Sequence, residues 1–242
     1  MKRWILLLCC ILLALSVTGC TGESSSSDSS SEPSSSQTQL QEDPVDPETA
    51  AALELVAEAD CEVPDFLTEE QQTLYRKAYT AYKQFALYTD GFGSTEYNPV
   101  TVEEYDNGFC VGNGSITTWK DYETAMLGLF TPDYLEELNL TVTELEDGTT
   151  LRYAHFADYQ GQLAFSDGAR GSNNAYIPPD TFELISQTED EIRFYVIGTY
   201  HAEEENEEGM LVWTDETTQK KYEIVLTHTE NGWRFSQLAL TI

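Results

Sequence analysis

The spacing of apolar residues changes near Leu140, and this change limits the folds that are open to the 242-residue chain. Before Leu140, apolar side chains recur every three or four positions, which predicts amphipathic helices. After Leu140 they alternate with polar side chains, which predicts strands half buried on one face. Helices followed by strands indicate an α+β domain, with N-terminal helices packed on a curved antiparallel β-sheet.

Three helices are predicted before this change. Thr68-Glu69-Glu70-Gln71 has the form of a capping box, and it opens a helix that should end near Asp90-Gly91. Thr118 is placed to cap a second helix, and Pro132 suits the first turn of a third. A further short helix is predicted within Asp46–Asp60.

Seven extended runs are predicted after Leu140, separated by turn sequences. Asn231-Gly232 is the strongest turn signal, because both residues tolerate positive φ. The runs are Thr150–Phe156, Gln162–Phe165, Thr181–Gln187, Glu191–His201, Leu211–Thr214, Lys221–Thr229 and Trp233–Leu240.

The first residues have the pattern of a bacterial export signal. A short basic head precedes an apolar run from Trp4 to Val17, which is too short to span a bilayer comfortably. Val17-Thr18-Gly19-Cys20 resembles the lipoprotein cleavage box, in which the cysteine thiol receives a diacylglycerol. Residues 1–19 are therefore predicted to be a cleaved signal peptide, with Cys20 lipid-anchored at the outer face of the cytoplasmic membrane. The alternative is an uncleaved anchor helix.

Residues 20–60 are predicted to form a tether, and residues 61–242 a single folded domain. Ser24–Ser36 contains ten serines and no apolar repeat, which is typical of a solvated linker. The chain is 40% hydrophobic and 12% aromatic, which is enough to supply a core for the remaining residues. Their number fits one domain.

Cys61 and Cys110 are the two cysteines expected in the exported domain. An even pair of cysteines in an exported protein predicts a disulfide between them. Two separate reduced thiols are the alternative.

The charge of the chain excludes one class of partner. Twelve Lys and Arg stand against 43 Asp and Glu, which gives a net charge of −31. Nucleic acid is excluded, because its binding depends on basic side chains that release counterions. A membrane surface is expected to be contacted only through the lipid on Cys20.

An acidic run between two predicted strands is the sharpest local feature. It is interpreted either as a solvated loop or as a docking element for a basic partner groove. A calcium site is less consistent with it, because the Asp, Asn and Gly positions of a calcium loop are missing. The predicted partner-binding residues of this run are Glu203, Glu204, Glu205, Glu207 and Glu208.

A second candidate contact is Arg170, one of the few basic residues of the domain. It lies in a segment rich in glycine and asparagine, which suits either recognition of a polar group or a simple connection. His155, His201 and His228 are widely spaced and have no partner at i+3 or i+4, so the spacing predicts no metal site. No nucleophile motif or phosphate loop is present, and neither catalytic residues nor a cofactor are predicted.

Part of the chain resembles the DL-endopeptidase inhibitor family of Gram-positive bacteria, the IseA type. The similarity is one of ordered pattern between Leu74 and Ile242. The matching segments are Phe130–Leu138, Gly161–Phe165, Ser186–Ile192 and Asn231–Leu238. This resemblance implies a protein without catalysis that binds cell-wall hydrolases of the NlpC/P60 kind and blocks their peptide-cleaving cleft, helped by its negative charge. The lipid anchor and the serine tether depart from the family's pattern.

The C-terminal hairpin Glu230–Phe235 also resembles the closing strands of NTF2-like folds. That resemblance implies a ligand-binding or enzymatic domain with an apolar pocket between helix and curved sheet. His155 or His228 would be the polar group in such a pocket.

Overall fold

The computed structural model describes residues 46–166, 168–169, 175–205 and 209–241. This part of the chain has four helices, and none of them is long and apolar enough to cross a bilayer. They are α1 (Pro47–Leu53), α2 (Glu69–Ala86), α3 (Trp119–Leu129) and α4 (Pro132–Asn139). The α+β prediction and the predicted helices are confirmed.

The helix starts follow the predicted capping residues. The Thr68 backbone N–H donates to Gln71 Oε1 at 3.0 Å, and the Gln71 N–H donates to Thr68 Oγ1 at 3.3 Å, which completes the capping box of α2. Thr118 Oγ1 accepts the Asp121 N–H at 3.1 Å at the start of α3. Helix α2 ends earlier than predicted, because the chain turns after Ala86 into a short strand.

The described residues also form twelve strands. They are β1 (Tyr88–Thr89), β2 (Asn98–Val100), β3 (Phe109–Val111), β4 (Leu140–Glu144), β5 (Thr150–Ala154), β6 (Phe156–Tyr159), β7 (Gln162–Phe165), β8 (Gly168–Ala169), β9 (Tyr176–Gln187), β10 (Glu191–Glu205), β11 (Leu211–Thr229) and β12 (Gly232–Gln237). Two predicted runs, Leu211–Thr214 and Lys221–Thr229, are parts of the single strand β11. Strand β10 continues beyond its predicted end at His201.

The four long strands form an antiparallel sheet in the order β12-β11-β10-β9. Buried and half-buried side chains alternate along β10 from Glu191 to Tyr200. Helix α2 covers the buried face, where the Tyr75 ring lies 6.0 Å from those of Phe182 and Phe235 and 6.3 Å from that of Phe194. Tyr75, Phe194 and Phe235 are at most 1% exposed, so the space between helix and sheet is filled by aromatic side chains.

A second antiparallel sheet has the order β2-β3-β7-β6. Its β6–β7 hairpin turns at Gln160 and Gly161, which have φ of 57° and 84°, the positive values that a tight two-residue turn requires. Helix α3 packs on this sheet through Tyr122, whose ring lies 4.7 Å from the buried ring of Phe156. Strands β4 and β5 form a separate hairpin, and β1 pairs with β8.

The folded part begins before Cys61, where the sequence analysis placed the end of the tether. Ala52 and Val56 are 4% and 1% exposed and belong to the main core. The Lys77 ammonium donates to the carbonyls of Leu53 and Val56 at 2.9 and 3.1 Å, which ties α1 to α2. The predicted boundary is therefore wrong from Asp46 onward, because the short apolar stripe of α1 is buried rather than solvated.

Candidate binding site

The ends of β10 and β11 continue as a two-stranded projection that we name the hairpin arm, Glu203–Glu205 with Met210–Trp213. Pairing between β9 and β10 ends at Tyr176 and Tyr200. From Glu203 onward, β10 pairs within the described residues only with β11. The arm therefore has two open strand edges, and open edges are where a sheet can meet another chain.

The arm exposes large apolar side chains that a soluble protein usually covers. Leu211 is 69% exposed, Met210 and Trp213 are each 54% exposed, and Val212 is 41% exposed. Leu211 and Trp213 expose apolar area on one face of the strand and Val212 on the other. Exposed apolar area of this extent is typical of contact surfaces.

Acidic side chains share the arm with the apolar ones. Glu203 lies opposite Trp213, Glu204 opposite Val212, and Glu205 opposite Leu211. Since directly opposed residues point to the same side, one face carries Trp213 and Leu211 with two carboxylates. In the described part of the chain no Lys, Arg or His forms an ion pair with these carboxylates.

The base of the arm holds it in a defined orientation. The register shifts between His201 and Glu203, and a shift of this kind bends and twists a hairpin. The His201 Nδ1–H donates to the Thr214 carbonyl at 3.1 Å, and its ring stacks beside the Trp213 indole with centroids 6.3 Å apart. Thr214 Oγ1 donates to the Ala202 carbonyl at 3.3 Å across the shift.

Three of the five acidic residues predicted to bind a partner lie in the described part of the chain. Glu203, Glu204 and Glu205 lie together and exposed on the arm. Glu207, Glu208, Arg170 and Cys20 lie outside the described residues. The exposed run Met210–Trp213 is not among the residues that the sequence predicted to bind a partner. These four residues are recognisable in the sequence as an unbroken apolar run beside a charged segment. A half-buried strand would instead alternate apolar and polar residues.

A second concave region lies around His155. Two open clefts of about 590 and 670 Å³ meet at His155 and Thr141. Thr89 Oγ1 donates to the Gln84 carbonyl at 2.9 Å and lies 3.1 Å from His155 Nδ1. Because the Thr89 hydroxyl proton is donated to Gln84, the hydrogen bond between Thr89 Oγ1 and His155 Nδ1 needs a proton on the imidazole. His155 Nδ1–H is therefore the donor to Thr89 Oγ1.

The tyrosines of the first cleft serve the fold. The Tyr134 hydroxyl donates to the Leu238 carbonyl at 2.7 Å and accepts the Leu238 N–H at 2.9 Å, which joins α4 to the chain end. Burial raises the pKa of Tyr134 and of Tyr82 above the ordinary tyrosine value, so both phenols stay protonated at neutral pH. The clefts are open to solvent. Aromatic side chains fill the middle of the space between α2 and the large sheet, whereas at its edge His228 lines a groove between α2 and the β11–β12 turn.

No set of three His, Cys, Asp or Glu side chains converges on a metal-sized site within the described ranges. The histidines have different neighbours: His155 contacts Thr89, His201 contacts the Trp213 ring, and the His228 ring lies 4.9 Å from the Trp233 ring.

The structure does not join Cys61 to Cys110, and the predicted disulfide is therefore absent. Cys61 is half-buried near Arg76 and Asp180 beside α2. Cys110 lies in β3, opposite Pro99 and Phe165 in the second sheet. Both side chains pack against the main core, and an even cysteine count does not say whether two cysteines come within bonding distance.

No family model matches the chain, and no curated protein matches it.

Proposed function

We propose that the chain is a lipid-anchored extracytoplasmic binding protein that restrains cell-wall DL-endopeptidases of the NlpC/P60 kind. The observation that carries this proposal is the hairpin arm, where exposed Trp213 and Leu211 share one face with the carboxylates of Glu203 and Glu205. The resemblance to the IseA-type inhibitor family supports the choice of partner. The lipid on Cys20 would keep the protein at the outer face of the membrane, close to the wall.

The apolar side chains of the arm supply the expected affinity. Removing a leucine-sized side chain from water stabilises a complex by roughly 1.5–3 kcal/mol. Trp213 and Leu211 share one face, so a single partner surface can cover both. Tryptophan is also enriched among the residues that dominate binding energy at interfaces.

The shape of the arm favours a concave partner surface. A typical stable interface buries about 800 Å² on each side, which is more than a flat contact with a two-stranded tip provides. A cleft that surrounds the tip can cover both faces and both open edges. The peptide-cleaving cleft of a hydrolase has this form, and an arm that fills it excludes the substrate.

The carboxylates are expected to govern the rate and salt sensitivity of association. The whole chain carries a net charge of −31, and Glu203–Glu205 place negative charge at its projecting end. Charge on the rim of an interface steers a basic partner and is screened by salt.

The test is a peptidoglycan-digestion assay with a purified NlpC/P60 endopeptidase and variants of the arm. Replacing both Trp213→Ala and Leu211→Ser is expected to weaken inhibition at least about tenfold at every salt concentration, because the buried apolar area is lost. Val142→Ser is the matched control, since Val142 is 55% exposed on another hairpin. It should inhibit like the unmodified chain.

A second set of variants tests the charge. Inhibition should weaken at low salt and stay nearly unchanged at high salt when glutamine replaces the glutamates of the acidic run. The replaced residues are Glu203, Glu204, Glu205, Glu207 and Glu208. If both the apolar and the glutamine variants inhibit as strongly as the unmodified chain, the arm is not the inhibitory surface.

A further inference from the structure

A groove of about 290 Å³ lies between α1, the first half of α2 and the β11–β12 turn. We name it the Trp233 groove. Its apolar lining comes from Leu53, Leu74 and Trp233, and two cationic side chains, Lys77 and Arg234, line it as well. It shares no residue with the hairpin arm.

Arg234 is the unusual member of this lining, because its charge is buried without a carboxylate in contact. The side chain is only 6% exposed. Its Nε–H donates to the Leu127 carbonyl at 2.7 Å near the end of α3, and Nη1 donates to the Trp233 carbonyl at 2.7 Å. No Asp or Glu of the described residues lies within ion-pairing distance of the guanidinium. The Asp46 carboxylate attracts the guanidinium only from beyond ion-pairing distance. A buried cation that no carboxylate contacts is costly to the fold.

The Arg234 guanidinium also has N–H donors that make no hydrogen bond to these two carbonyls. A guanidinium offers five N–H groups, and the two carbonyls accept only two of them. Among the described side chains, the buried polar atoms that lack a partner are Tyr122 Oη and Arg152 Nε. Nη2 of Arg234 is therefore not among the sealed atoms without a partner, and Arg234 is one of the residues that line the groove.

Lys77 adds a second positive charge to the same groove. It is 8% exposed and is held by the Leu53 and Val56 carbonyls, whereas the Glu54 carboxylate lies 3.8 Å away on a side chain that is 82% exposed. Glu54 and Glu70 are exposed and also line the groove. These two carboxylates oppose a doubly charged ligand more strongly than a singly charged one.

We infer that the Trp233 groove binds a monocarboxylate that carries an apolar group. The carboxylate accepts hydrogen bonds from the unused Arg234 donors, and the apolar group packs on Trp233, Leu53 and Leu74. A planar guanidinium fork matches the two oxygens of a carboxylate. The volume suits a ligand of about the size of an acylated amino acid, which is small for a binding pocket. Two sources share this chemistry, a free aliphatic acid and the carboxyl terminus of a peptide.

Isothermal titration of the full chain in a non-ionic detergent tests the inference with three probes. N-acetyl-L-leucine mimics a peptide terminus, hexanoate is a free acid, and N-acetyl-L-leucinamide lacks the charge. At least one acid should bind about tenfold or more tightly than the amide, because only a carboxylate satisfies the guanidinium. The tighter of the two acids identifies the source. Equal binding of the acids and the amide, or no binding of either acid, overturns the inference.

Variants separate binding from folding. Arg234→Lys keeps the charge and removes the fork, and it should weaken acid binding several-fold. Ala50→Phe fills the groove from an exposed position of α1 and should abolish binding. Ala51→Phe is the matched control, because Ala51 is exposed on the same helix and does not line the groove. Acid binding that survives Ala50→Phe unchanged would place the ligand elsewhere and overturn the assignment.

Discussion

Cys61 has surroundings that disfavour its thiolate. Burial raises the pKa of Cys61 to about 11; Arg76 acts in the opposite direction, and the carboxylates of Glu62 and Asp180 reinforce the rise. The thiolate is the nucleophilic form of cysteine. Cys61 is therefore a protonated, unreactive thiol at neutral pH, which argues against a catalytic role for it.

This environment predicts slow alkylation of Cys61. In the fragment Gln41–Ile242 with Cys110→Ser, the reaction of Cys61 with iodoacetamide at pH 8 should be about a hundredfold slower than in the urea-unfolded chain. The rate in the folded fragment should continue to rise above pH 9, toward the raised pKa. A rate that levels off near pH 9, as for an ordinary thiol, would contradict the burial of Cys61.

At the scale of elements, the β10–β11 hairpin changes character along its length. Phe194 and Val196 lie in a central strand, paired with both β9 and β11, and are at most 1% exposed. Glu203–Glu205 pair with β11 alone and are exposed. The hairpin is thus part of the core at one end and exposed at the other.

Hydrogen exchange should divide this hairpin into two classes. The amides of Phe194 and Val196 are expected to exchange only on global unfolding, whereas those of the arm should exchange through local opening and much faster. Mass spectrometry of peptides from the two ends measures both. Equal protection at the two ends would mean that the arm is covered in the isolated protein, contrary to its exposure.

Local signals made α2 and α3 predictable from the sequence. The capping residues Thr68 and Thr118 and the helical apolar spacing act within one or two turns of the chain. The arm was predictable only in part. Its acidic residues stand out in the sequence, but the exposure of Leu211 and Trp213 depends on where β9 stops. The end of β9 is set by its pairing with β10, which the sequence near the arm does not encode.

The Trp233 groove and the two separate thiols depend on tertiary structure in the same way. Nothing in the sequence near Arg234 indicates that α3 and β12 enclose its guanidinium. The burial of α1 was not predicted either, because the helix has few apolar residues. Lys77, whose ammonium donates to the Leu53 carbonyl of α1, is distant in sequence and lies in α2.

At the scale of the whole molecule, α1 and the segment after it are part of the folded unit Gln41–Ile242. Removing residues 41–60 should lower the thermal unfolding midpoint by about 3–12 °C, because burial of a Val56-sized side chain stabilises by roughly 1.5–3 kcal/mol. Calorimetry of the fragments 41–242 and 61–242 measures the difference. A fragment that begins at Asp46 is the control and should unfold like the longer one. Equal midpoints for all three would show that α1 does not stabilise the domain.

The proposal that the arm docks in a basic, concave surface of a wall hydrolase rests on the net charge of the whole chain and on the exposed arm. The most direct test is the dissociation constant of the fragment Gln41–Ile242 for an immobilised NlpC/P60 endopeptidase, measured between about 50 and about 500 mM salt, a range over which charge screening becomes strong. We expect binding that weakens at least about tenfold across this range and that is lost when Trp213→Ala and Leu211→Ser are combined. Absence of binding at low salt, or binding that the double variant leaves unchanged, would contradict it.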